Sequence, residues 1–258
     1  MTKLVDLHCH ILPYVDDGAL RTEESEQLLD MLCQQGVRVV CATPHLRHKM
    51  FETPDAEIRE QFDALQAYAL RRGYSVRLFL SREYHCDKLL AERLEEGAIL
   101  PMGEGSAVLL EFSHLHSFES ILEWVSNVRE RGFHPLIAHV ERYSALEGSP
   151  DKVYALIERG AKIQMNAGSV LGREGFRQAR WSRKLLKESL VHVIASDSHD
   201  PLDRPPELDD CQRYLRKKVG DAYTEALMHD NPMQILSTTE KETISHADNQ
   251  AEAREAAL

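Results

Sequence analysis

Seven short runs rich in apolar and β-branched residues recur along the chain, and longer stretches with helical spacing separate them. The runs are Leu4 to His8, Val37 to Thr43, Val76 to Ser81, Ala107 to Phe112, Pro135 to His139, Lys162 to Asn166 and Val191 to Asp197. Val-Arg-Val-Val-Cys-Ala-Thr, Ala-Val-Leu-Leu-Glu-Phe and Val-His-Val-Ile-Ala-Ser-Asp are nearly continuous in apolar character. Strict alternation would mark a sheet with one wet face, whereas such runs mark parallel strands covered on both faces. The segments between them carry helix punctuation. Thr22 can cap a helix that carries Glu23 and Glu24 in its first turn and stops at Gly36, and Thr53-Pro54 opens a second that ends near Gly73. Ser117 begins a third that ends at Gly132, and Pro150 to Gly160 supplies a fourth. Repeated strand and helix units predict a parallel β/α barrel of about seven strands, although an open doubly wound sheet has the same local pattern.

A barrel of this type commonly occupies ~250 residues as one domain, so the 258 residues here call for no second one. The expected domain spans residues 1–236 and closes on a last helical turn, Asn231-Pro232-Met233-Gln234-Ile235-Leu236. Residues 237–258 are polar, rich in Thr, Glu and Ala, and are expected to form a mobile tail. A formal charge of −11 argues against nucleic acid as a partner. No stretch approaches the ~18 apolar residues of a membrane span, and the first residues lack the apolar stretch of a secretory leader. Five cysteines (Cys9, Cys33, Cys41, Cys86 and Cys211) lack paired spacing and suit reduced thiols, so the expected compartment is the cytoplasm.

The polar residues able to bind metal fall at or just past the strand ends. The first run ends in His8-Cys9-His10, where a period of two puts both imidazoles on one side. The second leads into His45, the third into Glu83, the fourth holds Glu111, the fifth ends at His139, and the seventh leads into Asp197 and His199. Asp17 follows the first strand closely enough to join them. In a parallel barrel these ends share one mouth, where active sites of such barrels form. Any one of these residues has a structural explanation, but five imidazoles and four carboxylates converging without a cation would resist desolvation. Imidazole and carboxylate without thiolate suit Mn²⁺, Fe²⁺ or catalytic Zn²⁺. Nine ligands exceed the needs of one ion with open positions. Two or three ions sharing a carboxylate are implied, and three divalent ions outweigh the four carboxylates to leave a net positive centre, which suits a dianionic phosphate and phosphoester hydrolysis.

These residues, with the segments Thr43-Pro44-His45, Leu110-Glu111-Phe112, Ala138-His139-Val140-Glu141-Arg142-Tyr143 and Ala195-Ser196-Asp197-Ser198-His199, resemble the polymerase and histidinol phosphatase (PHP) superfamily. Phe51-Glu52-Thr53-Pro54 and Arg204-Pro205-Pro206 narrow the resemblance to the manganese-dependent protein-tyrosine phosphatases of bacterial capsule and exopolysaccharide operons. The resemblance covers roughly residues 3–236. It implies a distorted (β/α)₇ barrel and three divalent ions, with Mn²⁺ the leading choice and Fe or Zn alternatives. By its pattern His8, His10, Glu83 and Asp197 hold one ion; Glu83, bridging, with Glu111 and His139 holds a second; Asp17, His45 and His199 hold a third. Arg142 and Arg204 would contact the phosphoryl oxygens. The implied substrate is phosphotyrosine on a protein such as a bacterial tyrosine autokinase. The rivals are a small-molecule phosphatase acting on a compound such as histidinol phosphate, and a catalytically idle metal-binding module that recruits a partner.

Other signals are weaker. Cys41 and Arg47 have the Cys-x₅-Arg spacing of cysteine-dependent tyrosine phosphatases, yet the intervening segment has no glycine and contains Pro44, which lacks an amide donor. Gly103-Glu104-Gly105 reads as a turn before the fourth strand. His48, His85, His114, His116 and His134 are expected to be solvated or hydrogen-bonded, and Arg47 is a candidate for recruiting an acidic phosphopeptide.

Overall fold

The computed structural model describes residues 3–237. β1 (Leu4–Cys9) leads through α1 (Thr22–Gln34) to β2 (Val37–Ala42) and the two-residue β3 (His45–Leu46), then α2 (Asp55–Arg71). β4 (Arg77–Leu80), β5 (Glu83–His85), α3 (Lys88–Glu96), β6 (Ala107–Glu111), α4 (Phe118–Glu130), β7 (His134–Ile137) and α5 (Pro150–Glu158) follow. The chain continues through β8 (Lys162–Asn166), α6 (Ala167–Leu171), α7 (Phe176–Lys187), β9 (Val193–Ala195), α8 (Leu208–Val219), α9 (Asp221–Glu225) and α10 (Asn231–Ser237). The expected tail falls on residues 238–258, outside the described residues, except for Ser237, which ends α10. Among the described residues no helix is long and apolar enough to cross a membrane.

The pairing of these strands is parallel throughout, in the orders β1-β2-β4 and β3-β5-β6-β7-β8-β9. Two of the seven expected runs are each followed at once by a further short strand. Thr43-Pro44 separates β2 from β3 and Ser81-Arg82 separates β4 from β5, so that His45 and Glu83 begin new strands. Backbone bonds continue across both breaks, from Ser81 N to Ala42 O (2.9 Å) and from Glu83 N to Pro44 O (3.1 Å). The curled sheet is drawn together at the other edge where His10 N donates to Ser198 O and Asp197 N to His8 O, both at 2.8 Å.

Helices cover the convex side. On α4 the positions Ile121, Val125 and Val128 are buried at helical spacing, and Ser117 caps the helix by accepting from Ser120 N at 3.2 Å. Thr22 is the first helical residue of α1, not its cap. The preceding turn is held instead by Glu24, which accepts from Leu20 N at 2.8 Å. The concave side holds a second cluster: Val5, Leu7, Val39, Cys41, Ala107, Leu109, Leu136, Ala138, Val193 and Ala195, all buried and closed by Met102, Ile235 and Leu236. Burying each large aliphatic side chain contributes about 1.5–3 kcal/mol. Gly103 makes the closing contact possible, because at its φ of +64° a Cβ would stand 2.6 Å from Leu236 O. Glu104 N donates to that same carbonyl at 2.8 Å, so the Gly103-Glu104-Gly105 segment is a turn that clamps the last helix.

His192, which precedes β9, accepts a hydrogen bond at Nδ1 from Ile163 N (3.2 Å). Burial and the neighbouring Lys162 charge push its pKa down to about 3. The folded protein therefore resists a proton that the unfolded chain takes up near pH 6.5. The stability this confers is fully present above pH 6.5 and is lost as pH falls through that value toward 3. Replacing His192 by Gln keeps an acceptor and removes the titration. Urea denaturation at pH 7 and pH 5 should show a smaller acid destabilisation in the variant, by about 2 kcal/mol. Equal slopes would place the acid sensitivity elsewhere.

Candidate metal centre

Two strands deliver their polar group by continuing the concave face past the apolar cluster, Ala107 and Leu109 leading to Glu111 and Val193 and Ala195 to Asp197, every second residue. His45 comes after the break at Thr43-Pro44, and His139 directly follows Ala138 of the inner cluster. β1 departs in another way. Its register against β2 gains one residue between Asp6 and Cys9, a bulge that turns Cys9 to the outer core and brings His8 and His10 to the inside. Two non-glycine residues take left-handed backbone where the strands break, His139 at φ +29° and Asp197 at φ +52°. The loop after β1 folds back over His10, and at Gly18 a Cβ would meet His10 O at 2.1 Å.

All nine expected side chains meet at this mouth. Glu83, fully buried, is the hub. Its Oε2 stands 3.2 Å from both His8 Nε2 and His10 Nε2 and 3.0 Å from His45 Nδ1, while Oε1 is 2.9 Å from His139 Nε2. Asp197 Oδ1 lies 3.4 Å from His8 Nε2, 3.5 Å from His10 Nε2 and 3.6 Å from His199 Nδ1. Asp17 Oδ1, on a half-exposed side chain, is 3.4 Å from His45 Nε2 and 3.6 Å from His199 Nε2, and Glu111 Oε2 is 3.9 Å from His45 Nδ1.

Four groups of ligand atoms, each within 4.8 Å of one another, could hold an ion: His10, Asp17, His45 and His199; His8, His10 and Asp197; His8, Glu83 and His139; and His45, Glu83 and Glu111. Glu83 and three of the imidazoles are thus shared between groups. His45 Nδ1 and Glu83 Oε2 stand 3.0 Å apart without forming a hydrogen bond, and neither atom has a hydrogen-bond partner elsewhere. Buried polar atoms are normally bonded, so lone pairs aimed into a common space fit a cation.

The electrostatics carry the same signature. Burial would raise Glu83, but His8 and His45 hold it well below the usual carboxylate range, and Asp197 is held low by His8 and Arg142. Burial would lower His8 and His10, yet Glu83 and Asp197 raise the first, and Asp16 with Glu83 raises the second. Burial and the His10 charge push His199 down to about 4.

Five supporting residues escaped the sequence reading or were underrated by it. Asp16 Oδ2 accepts from His10 Nδ1 at 2.7 Å and from His45 N at 2.9 Å, which aims His10 Nε2 at the centre. Gln164 Oε1 contacts His8 Nδ1 (3.2 Å) and His139 N (2.7 Å), and Asn166 Nδ2 donates to Asp197 Oδ2 at 2.7 Å. Tyr143 OH contacts His139 Nδ1 at 3.2 Å, and His85 Nδ1 bonds Glu111 Oε2 at 2.9 Å. His48 pairs with Glu52, His116 reaches Cys86 O, His134 bonds Ser106, and His114 is exposed.

Arg142 and Arg204 converge on the lip. Arg142 Nη1 donates to Asp197 Oδ2 at 2.8 Å and Arg204 Nη2 to the same oxygen at 2.9 Å. Glu174 grips the other edge of Arg142 with two bonds, from Nε (3.0 Å) and Nη2 (2.7 Å). A cavity of about 180 Å³ opens over the cluster, bounded outward by Arg47, Met50 and Phe51. Cys41 is packed inside the inner apolar cluster, where burial drives its thiol pKa up, so it forms no phosphate loop with Arg47.

The chain matches the family model "Capsular polysaccharide synthesis, CpsB/CapC" over residues 4–237. The tyrosine-protein phosphatase CpsB of Streptococcus pneumoniae is 34% identical to it over 238 residues, 90% of this chain and 98% of that protein. A crystal structure described as YwqE from Bacillus subtilis and CpsB from S. pneumoniae, unique metal-dependent tyrosine phosphatases, superposes with a TM-score of 0.84 at 27% identity. It covers 92% of this chain and 96% of that one. The histidinol phosphate phosphatase of Lactococcus lactis (TM-score 0.55, 16% identity, 84% and 94% coverage) shares the fold.

Asp16 supplies the test of this geometry. Asp16→Ala leaves all nine converging side chains in place but removes the brace on His10 and His45, so Mn²⁺ affinity measured by calorimetry should fall about 10–100-fold. Unchanged affinity would show that His10 is oriented by other contacts.

Proposed function

Since the chain belongs to the CpsB/CapC capsular polysaccharide synthesis family, we propose that it is a metal-dependent protein-tyrosine phosphatase whose centre consists of His8, His10, Asp17, His45, Glu83, Glu111, His139, Asp197 and His199. The observation that carries the reading is the buried hub: Glu83 faces four imidazoles within 3.2 Å, and Arg142 and Arg204 stand at its rim. The four overlapping groups support three ions, and the nitrogen and oxygen donor set favours Mn²⁺, with Fe or Zn as alternatives. The nine strands count as seven positions of a distorted (β/α)₇ barrel if β2 with β3 and β4 with β5 are each taken as one, with residues 1–236 as its domain. The compartment is the cytoplasm, and the substrate is a phosphotyrosyl protein, such as a bacterial tyrosine kinase.

When bound, divalent ions supply Lewis-acid charge beside a phosphoryl group and acidify water, lowering its pKa toward ~7. The chain's own groups do the rest. Arg142 and Arg204 turn planar donors toward the phosphoryl oxygens, where charge grows during transfer. Gln164, Asn166 and Asp16 fix the ring and carboxylate orientations in advance, so little reorganisation is left for the reacting complex. Cys41 takes no part.

Chelation should abolish turnover of a phosphotyrosyl peptide and lower the melting temperature, and Mn²⁺ should restore both. Arg142→Ala should cost about 10²–10³ in kcat, with Arg142→Lys recovering little, because a point charge does not replace a planar fork. Cys41→Ser should change kcat modestly. A dead Cys41→Ser enzyme that retains its metals, beside a nearly normal Arg142→Ala enzyme, would overturn the mechanism. Turnover of histidinol phosphate in preference to the peptide would overturn the substrate.

A further inference from the structure

Beyond the wall formed by Arg142, Asp197 and Arg204 lies a second cavity of about 560 Å³. Those three residues line both it and the 180 Å³ cavity over the cluster. Any phosphoryl group held by the two arginines therefore stands at the junction. A small phosphate ester would occupy the junction and leave the larger cavity unused, whereas ~300–1,000 Å³ is the size of sites that enclose a substantial ligand.

The walls indicate what kind of ligand. Their charged groups are mostly committed to each other: Glu174 bonds Arg142 twice, and Arg173 Nε donates to Glu207 Oε1 at 2.8 Å. With those charges neutralised in pairs, the groups left to meet a ligand include Leu202 and Pro205 on the loop after β9 and the bare backbone of Gly168 on α6. Leu202 is 86% exposed, and it lines a cavity that shares three wall residues with the reaction mouth. An exposed leucine is ordinary by itself; its position is what counts here.

We infer that this cavity is the subsite for the polypeptide flanking the phosphotyrosine, and that it takes an apolar side chain of that segment. The inference rests on the phosphotyrosine reading above. It assigns substrate selection to the α6–α7 connection and the loop after β9, and leaves the chemistry to the cluster.

Gly168 offers a way to fill the cavity without touching the cluster. A Cβ there meets nothing nearer than 3.8 Å, at Arg173 and Glu207 Oε2, and its backbone is not left-handed. The test compares the Mn²⁺-loaded full chain with Gly168→Phe and, separately, Leu202→Asp, whose exposed position tolerates the change. The substrates are para-nitrophenyl phosphate and a phosphotyrosyl peptide with apolar flanking residues. Both variants should keep wild-type kcat and KM on para-nitrophenyl phosphate and raise KM for the peptide about tenfold, the effect of removing one well-packed apolar anchor. Wild-type peptide KM in Leu202→Asp, or equal losses on both substrates, would overturn the inference while leaving the phosphatase reading intact. Wild-type enzyme that hydrolyses para-nitrophenyl phosphate but not the peptide would remove both.

Discussion

A carboxylate with no exposure, set among four imidazoles, is the constraint around which this molecule is organised. Glu83 could not remain ionised in that position unless positive charge surrounded it, because burial alone would neutralise it. His8 and His45 supply part of that charge, and Glu83 and Asp197 in turn raise the proton affinity of His8. A divalent cation held here would supply the same compensation and would compete with protons for the imidazoles. Removing any single partner would leave the rest of the cluster with an uncompensated charge.

Parallel strands make such a cluster possible, since their carboxyl ends all open on one side. The apolar inner cluster of Val5, Leu7, Leu109, Leu136 and Val193 packs the inside of the sheet beneath the converging polar groups. A shift of an ångström in any strand would take those groups out of the separations, near 3 Å, that they show. The clamp between Gly103 and Leu236 closes the opposite end, which ties the last helix to the same core.

The convergence of the nine side chains was legible because chemistry confines them. Imidazoles and carboxylates placed at the ends of apolar runs have few other reasons to be there, and a repeating strand and helix pattern says that those ends coincide. What stayed hidden depends on backbone detail. The bulge in β1 brings His8 and His10 to the face of Leu7, although a period of two would put His8 on the other side. Nothing in Leu-Val-Asp-Leu-His-Cys-His announces the extra residue. The short strands that begin at His45 and Glu83, just past the ends of two expected runs, were not legible either, and Arg82 is buried against His45 O in the turn it makes. Gln164 and Asn166 were hard to see for another reason. Amides in a strand are usually neutral in their message, and only the assembled sheet shows that this pair faces the inside of the mouth.

Glu174 is the residue whose meaning the structure changes most. On the sequence it is one of 42 acidic residues in a chain of negative charge. In space it holds the Nε and Nη2 edge of Arg142 while Asp197 holds Nη1, so three of the five guanidinium donors are committed and the side chain is fixed from both sides. Gln178, one helical turn further on, donates to Glu174 at 3.1 Å and keeps that carboxylate in place. A free arginine would lose side-chain entropy on meeting a phosphoryl group, by up to ~2 kcal/mol on common scales. Here that ordering is done during folding, and the two remaining donors are available at the junction of the two cavities. The same bonds explain why a lysine would be a poor substitute: one ammonium cannot satisfy Glu174 along an edge, reach Asp197 and still present a pair of donors to a substrate.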